Sequence, residues 1–168
     1  YLVSLPDYIG YGASESYEHS YSVHPRLAEQ SVDMILATQQ FCTNVSIELD
    51  DKLFLSGWSE GGAASLATQK LIEYDYQEHL NLTANAPLAS FASTKFYGRI
   101  LLGLAPLDVR DWGSDLDVLL WATYAINRYT DDKPLETDKI FKFPVENQSD
   151  VLENRPTNRP SESIKYFI

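Results

Sequence analysis

Apolar residues in the first half of the chain fall into short unbroken runs that alternate with stretches of helical spacing. Leu2-Val3-Ser4-Leu5 is the first such run, and it ends in Pro6-Asp7 followed by Gly10 and Gly12. That is the pattern of a buried parallel strand opening into a loop, and a first strand is expected there. Gly12 to Ser22 has no period and reads as loop. His24-Pro25 then opens a helix, with proline at an early helical position and Leu27, Val32, Ile35, Leu36 and Phe41 at near-helical spacing. It is expected to end between Gln40 and Thr43. After the polar connection Asn44 to Lys52, Leu53-Phe54-Leu55-Ser56-Gly57 predicts a second strand. The small residues Gly61 to Ala64 lead into Leu66, Ala67, Leu71 and Ile72, a helix expected to end near Tyr76. Leu80 to Ala86 predicts a third strand that stops at Pro87. Strands separated by helices of this length indicate α/β architecture with parallel pairing.

Beyond Leu88 the alternation ceases. Lys95 to Leu104 and Leu116 to Tyr129 have helical spacing, and Thr130 to Ile168 is rich in Asp, Glu, Lys, Asn and Pro with scattered apolar residues such as Phe141, Phe143 and Val145. Residues 1–90 therefore read as an α/β core and residues 91–168 as a mostly helical cap or insertion.

Composition narrows the functional classes. The 168 residues carry 13 Lys and Arg against 24 Asp and Glu, a formal net charge of −11. Nucleic acid is excluded as an expected partner, because phosphate binding needs a basic stripe. No apolar run reaches the roughly 18 residues of a membrane span, so no transmembrane segment is expected. The chain opens on Tyr1 inside an apolar run and reads as a segment of a longer protein. Cys42 stands alone, which excludes an internal disulfide and a multi-cysteine metal site. His19 and His24 lie in a loop without the Cys or carboxylate partners of a metal centre, so no metal is expected. Asn44, Asn81 and Asn147 each begin an Asn-x-Ser/Thr triplet, a glycosylation acceptor in a eukaryotic secretory protein.

The chemistry concentrates at Gly57-Trp58-Ser59-Glu60-Gly61, a G-x-S-x-G sequence with a strand before it and a helix after it. In that context the serine sits in a strained turn from which Oγ projects into a cleft, and side chains two residues either side would collide. Gly57 and Gly61 are expected to relieve the collision, and Gly62 and Ala63 to let the helix approach the sheet. The helix N-terminus presents backbone N–H groups where a tetrahedral oxyanion forms, with the N–H of Glu60 the expected donor. The competing use of Ser59 is to cap that helix. Asp7 precedes the nucleophile and is expected to brace its loop. Gly10-Tyr11-Gly12-Ala13-Ser14-Glu15 has Glu15 where a dinucleotide fingerprint needs glycine, so no nucleotide cofactor is expected. Trp112, Trp121, Leu119 and Leu120 read either as core or as the lining of an acyl pocket.

On these residues the chain resembles the α/β-hydrolases, and within them the secretory-lipase-like branch of serine esterases and lipases. The resemblance rests on Pro6-Asp7-Tyr8-Ile9-Gly10-Tyr11-Gly12-Ala13-Ser14, on His24-Pro25, on Gly57-Trp58-Ser59-Glu60-Gly61-Gly62, and on Ala84-Asn85-Ala86-Pro87. It spans about half the chain. It implies a partial α/β-hydrolase fold in which the three strands are adjacent central strands flanked by helices, followed by a helical lid. It implies a serine hydrolase of carboxylic esters, a lipase or esterase with Ser59 as nucleophile, a small-molecule or lipid ester as substrate, no cofactor, and a secreted or periplasmic location. In this family the triad acid and histidine follow the serine on later strands. His79 comes too early for that base, and none of Asp108, Asp111, Asp115, Asp131 and Asp132 follows a buried strand. The acid and base are therefore expected outside this chain, as is the second oxyanion donor, which the family places before the position of Leu2. The segment alone is expected to be inactive.

Two rival readings follow from the same residues. Tryptophan before the elbow serine also occurs in serine peptidases of the prolyl-oligopeptidase type. A non-catalytic binding module on the same scaffold is the rival from another class, since a fold does not fix its function.

Overall fold

The computed structural model describes residues 1–93, 95–96, 99, 115–129 and 135–153. The chain forms two compact units, Tyr1–Tyr17 with His24–Ala92, and Glu18–Val23 with Ser93–Ile168.

In the first unit the order is α1 (His24–Asn44), β1 (Leu53–Trp58), α2 (Glu60–Leu71) and β2 (Leu82–Leu88), with a wider turn over Ile72–Tyr76 continuing α2. β1 and β2 pair in parallel, from Phe54 opposite Ala84 to Trp58 opposite Leu88. The α/β architecture and its parallel pairing are as the hydrophobic pattern indicates. β2 differs in its end, since it runs through Pro87 to Leu88. The Leu88 carbonyl accepts from β1's side of the ladder, so alternation turns the Pro87 nitrogen to the other edge, where its missing donor breaks no β1 bond.

The first strand expected over Leu2 to Leu5 is not formed. These residues have no regular secondary structure and no ladder partners among the described residues, Val3 and Leu5 are more than three-quarters exposed, and the sheet formed by the described residues has two strands. A strand requires a hydrogen-bonding neighbour, and here the segment meets α1 instead, through the Ser4 and Thr38 hydroxyls at 2.8 Å. An apolar run shows the preference for an extended backbone but not the presence of its partner.

The core of this unit is Val32, Ile72 and Leu80, with Ile35, Leu53, Leu55, Leu71, Tyr76 and Leu82 packed around them. α1 turns Leu27, Ala28 and Val32 inward, while Leu36 and Phe41 of the expected apolar stripe are exposed. β1 alternates strictly: Leu53, Leu55 and Gly57 are half-buried, whereas Phe54, Ser56 and Trp58 are exposed. The sequence reading of buried parallel strands therefore holds for one face only. Parallel sheets are ordinarily covered on both.

In the second unit, α3 (Asp115–Tyr129) and α4 (Gln148–Glu153) enclose a core of Leu120, Tyr124, Phe141, Val145 and Val151. The scattered apolar residues after Thr130 thus converge. Glu18–Val23 is held by polar bonds. The Gln148 amide, itself buried, accepts from the His19 N–H at 2.5 Å and donates to the His19 carbonyl at 2.9 Å. The Glu18 carboxylate accepts from the Tyr124 hydroxyl and from Arg128 Nε, and the Glu18 carbonyl accepts from the Tyr129 hydroxyl. Burial first, and the Glu18 carboxylate second, push the Tyr124 phenol well above its ordinary value. The rings of His19, Tyr21 and Trp121 form a mutual cluster, with centroids 6.1 Å apart for His19 and Tyr21, 5.7 Å for His19 and Trp121, and 6.1 Å for Tyr21 and Trp121. Lys95, Phe96 and Arg99 are helical, and the rest of the helix expected over Lys95 to Leu104 lies outside the described residues, as do Trp112 and the acids Asp108, Asp111, Asp131 and Asp132.

Two close approaches fix the turn between β1 and α2. A Cβ at Gly57 would drive into the Gly61 carbonyl, and one at Gly62 would come within 2.7 Å of the Leu88 carbonyl oxygen. At Gly61 a Cβ would meet nothing within 4 Å, so the steric demand falls on Gly57 and Gly62, not on Gly57 and Gly61 as the motif suggests. Gly57→Ala in the full-length protein should therefore lose about 3 kcal/mol of stability in urea unfolding. Gly61→Ala, in a helical position with open space, should be neutral or gain about 0.5–1 kcal/mol; equal losses for the two would contradict this geometry.

His19 and His24 both have their imidazole pKa lowered by burial. The unfolded chain therefore binds protons that the folded chain refuses, so their contribution is complete above the ordinary imidazole pKa and is lost as pH falls below it. The urea midpoint should drop between about pH 7.5 and about pH 5.5. His19→Phe, which keeps a ring beside Trp121, should shrink that drop.

Candidate functional site

Ser59 links β1 to α2 with φ 56° and ψ −114°. A non-glycine residue in that region costs on the order of 1–3 kcal/mol and persists only where its surroundings fix it. Here they do so from three directions. The Ser59 N–H donates to the Leu88 carbonyl at 2.9 Å, one step beyond the β1–β2 ladder, and the Ser59 carbonyl accepts from Ala63 N–H at 3.1 Å as the first bond of α2. Gly57 lies against Gly61 from the strand side. Ala89, after the residue that receives the Ser59 N–H, is itself left-handed with φ 48°.

The Ser59 side chain makes no capping hydrogen bond to α2. Its φ and ψ also lie away from the extended region that cap residues adopt. The geometry therefore does not support the capping use of this serine and leaves Oγ uncommitted to the helix. Glu60 opens α2, so its N–H belongs to the first turn, where backbone donors have no acceptor within the helix. Gly57, Ser59, Glu60 and Gly61 thus stand together on one turn, at the C-terminal edge of the parallel strands where open α/β sheets place their ligands.

A second loop belongs to the same unit. Tyr8 and Gly10 have φ of 53° and 96°, and Gly12 has φ 54°, with the Asp7 carboxylate occupying the space that a Cβ on Gly12 would need. Gly12–Ser14 forms a single tight turn, and no helix opens on it of the kind a dinucleotide site requires. Side chains hold the loop in shape. Gln30 of α1 accepts the Ile9 N–H at 2.7 Å while its own amide donates to the Arg26 carbonyl. Ser14 Oγ accepts the Gly10 N–H and donates to the Tyr11 carbonyl at 2.8 Å. The Tyr8 hydroxyl meets Ser31 Oγ at 3.5 Å. Both phenols are pushed above their ordinary value, by burial first and then by the Glu60 carboxylate; the Ser31 contact opposes this at Tyr8. The loop therefore lies within the field of the residue that follows Ser59.

Motif reading gives an individual role in this loop only to Asp7; it takes in Tyr8, Tyr11 and Ser14 as members of the Pro6–Ser14 stretch and does not single out Gln30. The signal for the last two was present only as residue type, a short hydroxyl in a glycine-rich turn and an amide on the second turn of α1. Nothing in the spacing shows that Gln30 reaches the Ile9 N–H or that Ser14 closes the turn on Gly10. His79 stays remote, since α2 carries the chain about 18 Å from Ser59 before the turn that ends at Tyr76. His24 heads α1 with its ring against Phe91, and its Nε2 has no hydrogen-bond partner among the described residues. Among the described residues no three His, Cys, Asp or Glu side chains are grouped to hold a metal ion. None of their helices is long and apolar enough to cross a membrane.

No family model matches the chain, and no curated protein matches it. Solved structures do. The rice cell wall degrading esterase LipA from Xanthomonas oryzae superposes with a TM-score of 0.76 at 22% identity, over 96% of this chain and 45% of the esterase. A protein of Legionella pneumophila assigned as a hydrolase superposes with a TM-score of 0.74 at 23% identity, over 98% of this chain and 44% of its own. The chain spans less than half the length of these structures. Its two parallel strands flanked by helices are those of a partial α/β-hydrolase fold.

Proposed function

We propose that the chain is the central segment of a serine hydrolase that cleaves carboxylic esters through an acyl-enzyme on Ser59. The observation that carries this reading is the Ser59 backbone, held at φ 56° and ψ −114° on a strand–turn–helix with its side chain unused as a cap. A helix-capping serine has no need of that strain, whereas a nucleophile that must project from the sheet edge does. The esterase and hydrolase assignments of the two structures that share the fold agree with it.

In this mechanism Ser59 Oγ attacks the ester carbonyl carbon while a histidine takes its proton. The carbonyl electrons move onto oxygen, and the Glu60 N–H at the start of α2 stabilises the resulting oxyanion. Collapse breaks the ester C–O bond, and the alcohol leaves with the proton from the histidine. Water, deprotonated by the same base, then attacks the acyl-enzyme and releases the acid. The histidine, its acid partner and the second oxyanion donor belong to parts of the protein beyond these residues. The uncovered sheet face with Phe54 and Trp58, and the unpaired run Leu2 to Leu5, fit a segment whose neighbours lie elsewhere in a longer chain. Residues 91–168 are read as a lid- or cap-like insertion in the longer protein.

The full-length protein should label with a fluorophosphonate on Ser59 and hydrolyse p-nitrophenyl acyl esters in preference to aminoacyl p-nitroanilides. Ser59→Ala should abolish labelling and lower kcat by at least about 10⁴-fold. Preference for the anilides would replace the esterase with a peptidase. No labelling in either protein would favour a binding module on the same scaffold, and labelling that survives Ser59→Ala would overturn the assignment of Ser59 as nucleophile.

A further inference from the structure

Glu18–Val23 belongs to the second unit, although Tyr17 before it and His24 after it belong to the first. Among the described residues this segment adds nothing to the apolar core of the second unit. Leu120, Tyr124, Phe141, Val145 and Val151 all lie beyond residue 115, as do Ile140 and Phe143 packed against them. What the segment buries is polar: His19, Ser20 and Ser22 are 3%, 1% and 4% exposed. Polar burial is unfavourable until hydrogen bonds compensate it, so specific contacts and not hydrophobic collapse hold these residues in place.

The second unit makes those contacts in three chemically distinct ways. The Gln148 amide accepts the His19 N–H at 2.5 Å and donates to the His19 carbonyl at 2.9 Å, the two groups that a neighbouring strand would engage. Every residue except proline offers both groups, so this contact reads the main chain. The Glu18 carboxylate accepts from the Tyr124 hydroxyl at 2.5 Å and from Arg128 Nε at 2.9 Å, which reads charge. The Tyr129 hydroxyl adds a bond of 2.6 Å to the Glu18 carbonyl. The Trp121 ring stacks on Tyr21 with 11° between the planes, which reads an aromatic side chain three residues after the acid. Trp121, Tyr124, Arg128 and Tyr129 recur on one face of α3. Main-chain bonds combined with contacts to chosen side chains are the means by which folded domains take up peptides.

We propose that α3 and Gln148 form a recognition surface for a short peptide with a carboxylate followed three residues later by an aromatic ring, and that Glu18–Val23 is its occupant. The occupant is a segment of this chain, docked in cis on a unit whose apolar core closes without it. The surface lies within the second unit and stands apart from the reading of Ser59. Its selectivity comes from the carboxylate, because the Gln148 bonds are open to almost any sequence.

Hydrogen exchange on the full-length protein separates docking from core formation. Glu18→Gln and Gln148→Leu should each raise the exchange rates of the residue 19–23 amides about tenfold, while the amides of Leu120, Ala125 and Val151 stay within about twofold of their rates in the unmodified protein. Loss of protection at those three in step with the segment would overturn the proposal, since the segment would then be part of the unit's fold. Unchanged protection of residues 19–23 in both variants would overturn it as well. A second measurement uses the Glu18→Gln protein, in which the surface is intact and the occupant weakened. An acetylated peptide of residues 18–23 with a C-terminal fluorescein should bind this protein by anisotropy, and the same peptide carrying Gln for its Glu should bind about tenfold more weakly. Unmodified protein should bind the first peptide less tightly than the variant does, because the resident segment competes at high effective concentration. Equal binding of the two peptides, or binding of neither, would remove the recognition surface and leave the chemistry of Ser59 untouched.

Discussion

Backbone packed against backbone governs the first unit. The α-carbon of Gly57 lies against the Gly61 carbonyl, and Gly62 lies against the Leu88 carbonyl of the neighbouring strand. Neither contact leaves room for a methyl group. Together they bring the end of β1, the start of α2 and the end of β2 to one point, and Ser59 occupies the residue between them. Its left-handed backbone follows from that convergence, since the chain must reverse from strand to helix within one residue.

The Leu88 carbonyl joins these events. It accepts the Ser59 N–H and it is also the surface on which Gly62 rests. The placement of β2 and the shape of the turn are therefore one constraint, and the ladder that registers Trp58 with Leu88 continues without a break into the turn. On the covered side of the sheet, Leu53 and Leu55 pack on the core of Val32, Ile72 and Leu80, which holds both helices against the same face. Hydrophobic burial thus fixes the layer, while the glycine contacts fix where within it the serine stands.

What was legible in the residues tracks how local its cause is. α1 and α2 follow from spacing and a proline near the N-terminus, and β1 and β2 from short apolar runs, because each pattern is written within a dozen residues. Pro87 misled at the end of β2, since proline forbids a ladder bond only on the side its nitrogen faces, and sequence does not state the side. Leu2 to Leu5 misled because pairing depends on a neighbour. The gathering of Phe141, Val145 and Val151 around Leu120 and Tyr124 was hidden by the polar residues between them. The Gln148 bracket on His19 spans a separation that no period encodes. At the candidate site the serine and its glycines were visible as a motif, but their division of labour was not. Only coordinates distinguish Gly57, which cannot bear a side chain, from Gly61, which has room for one.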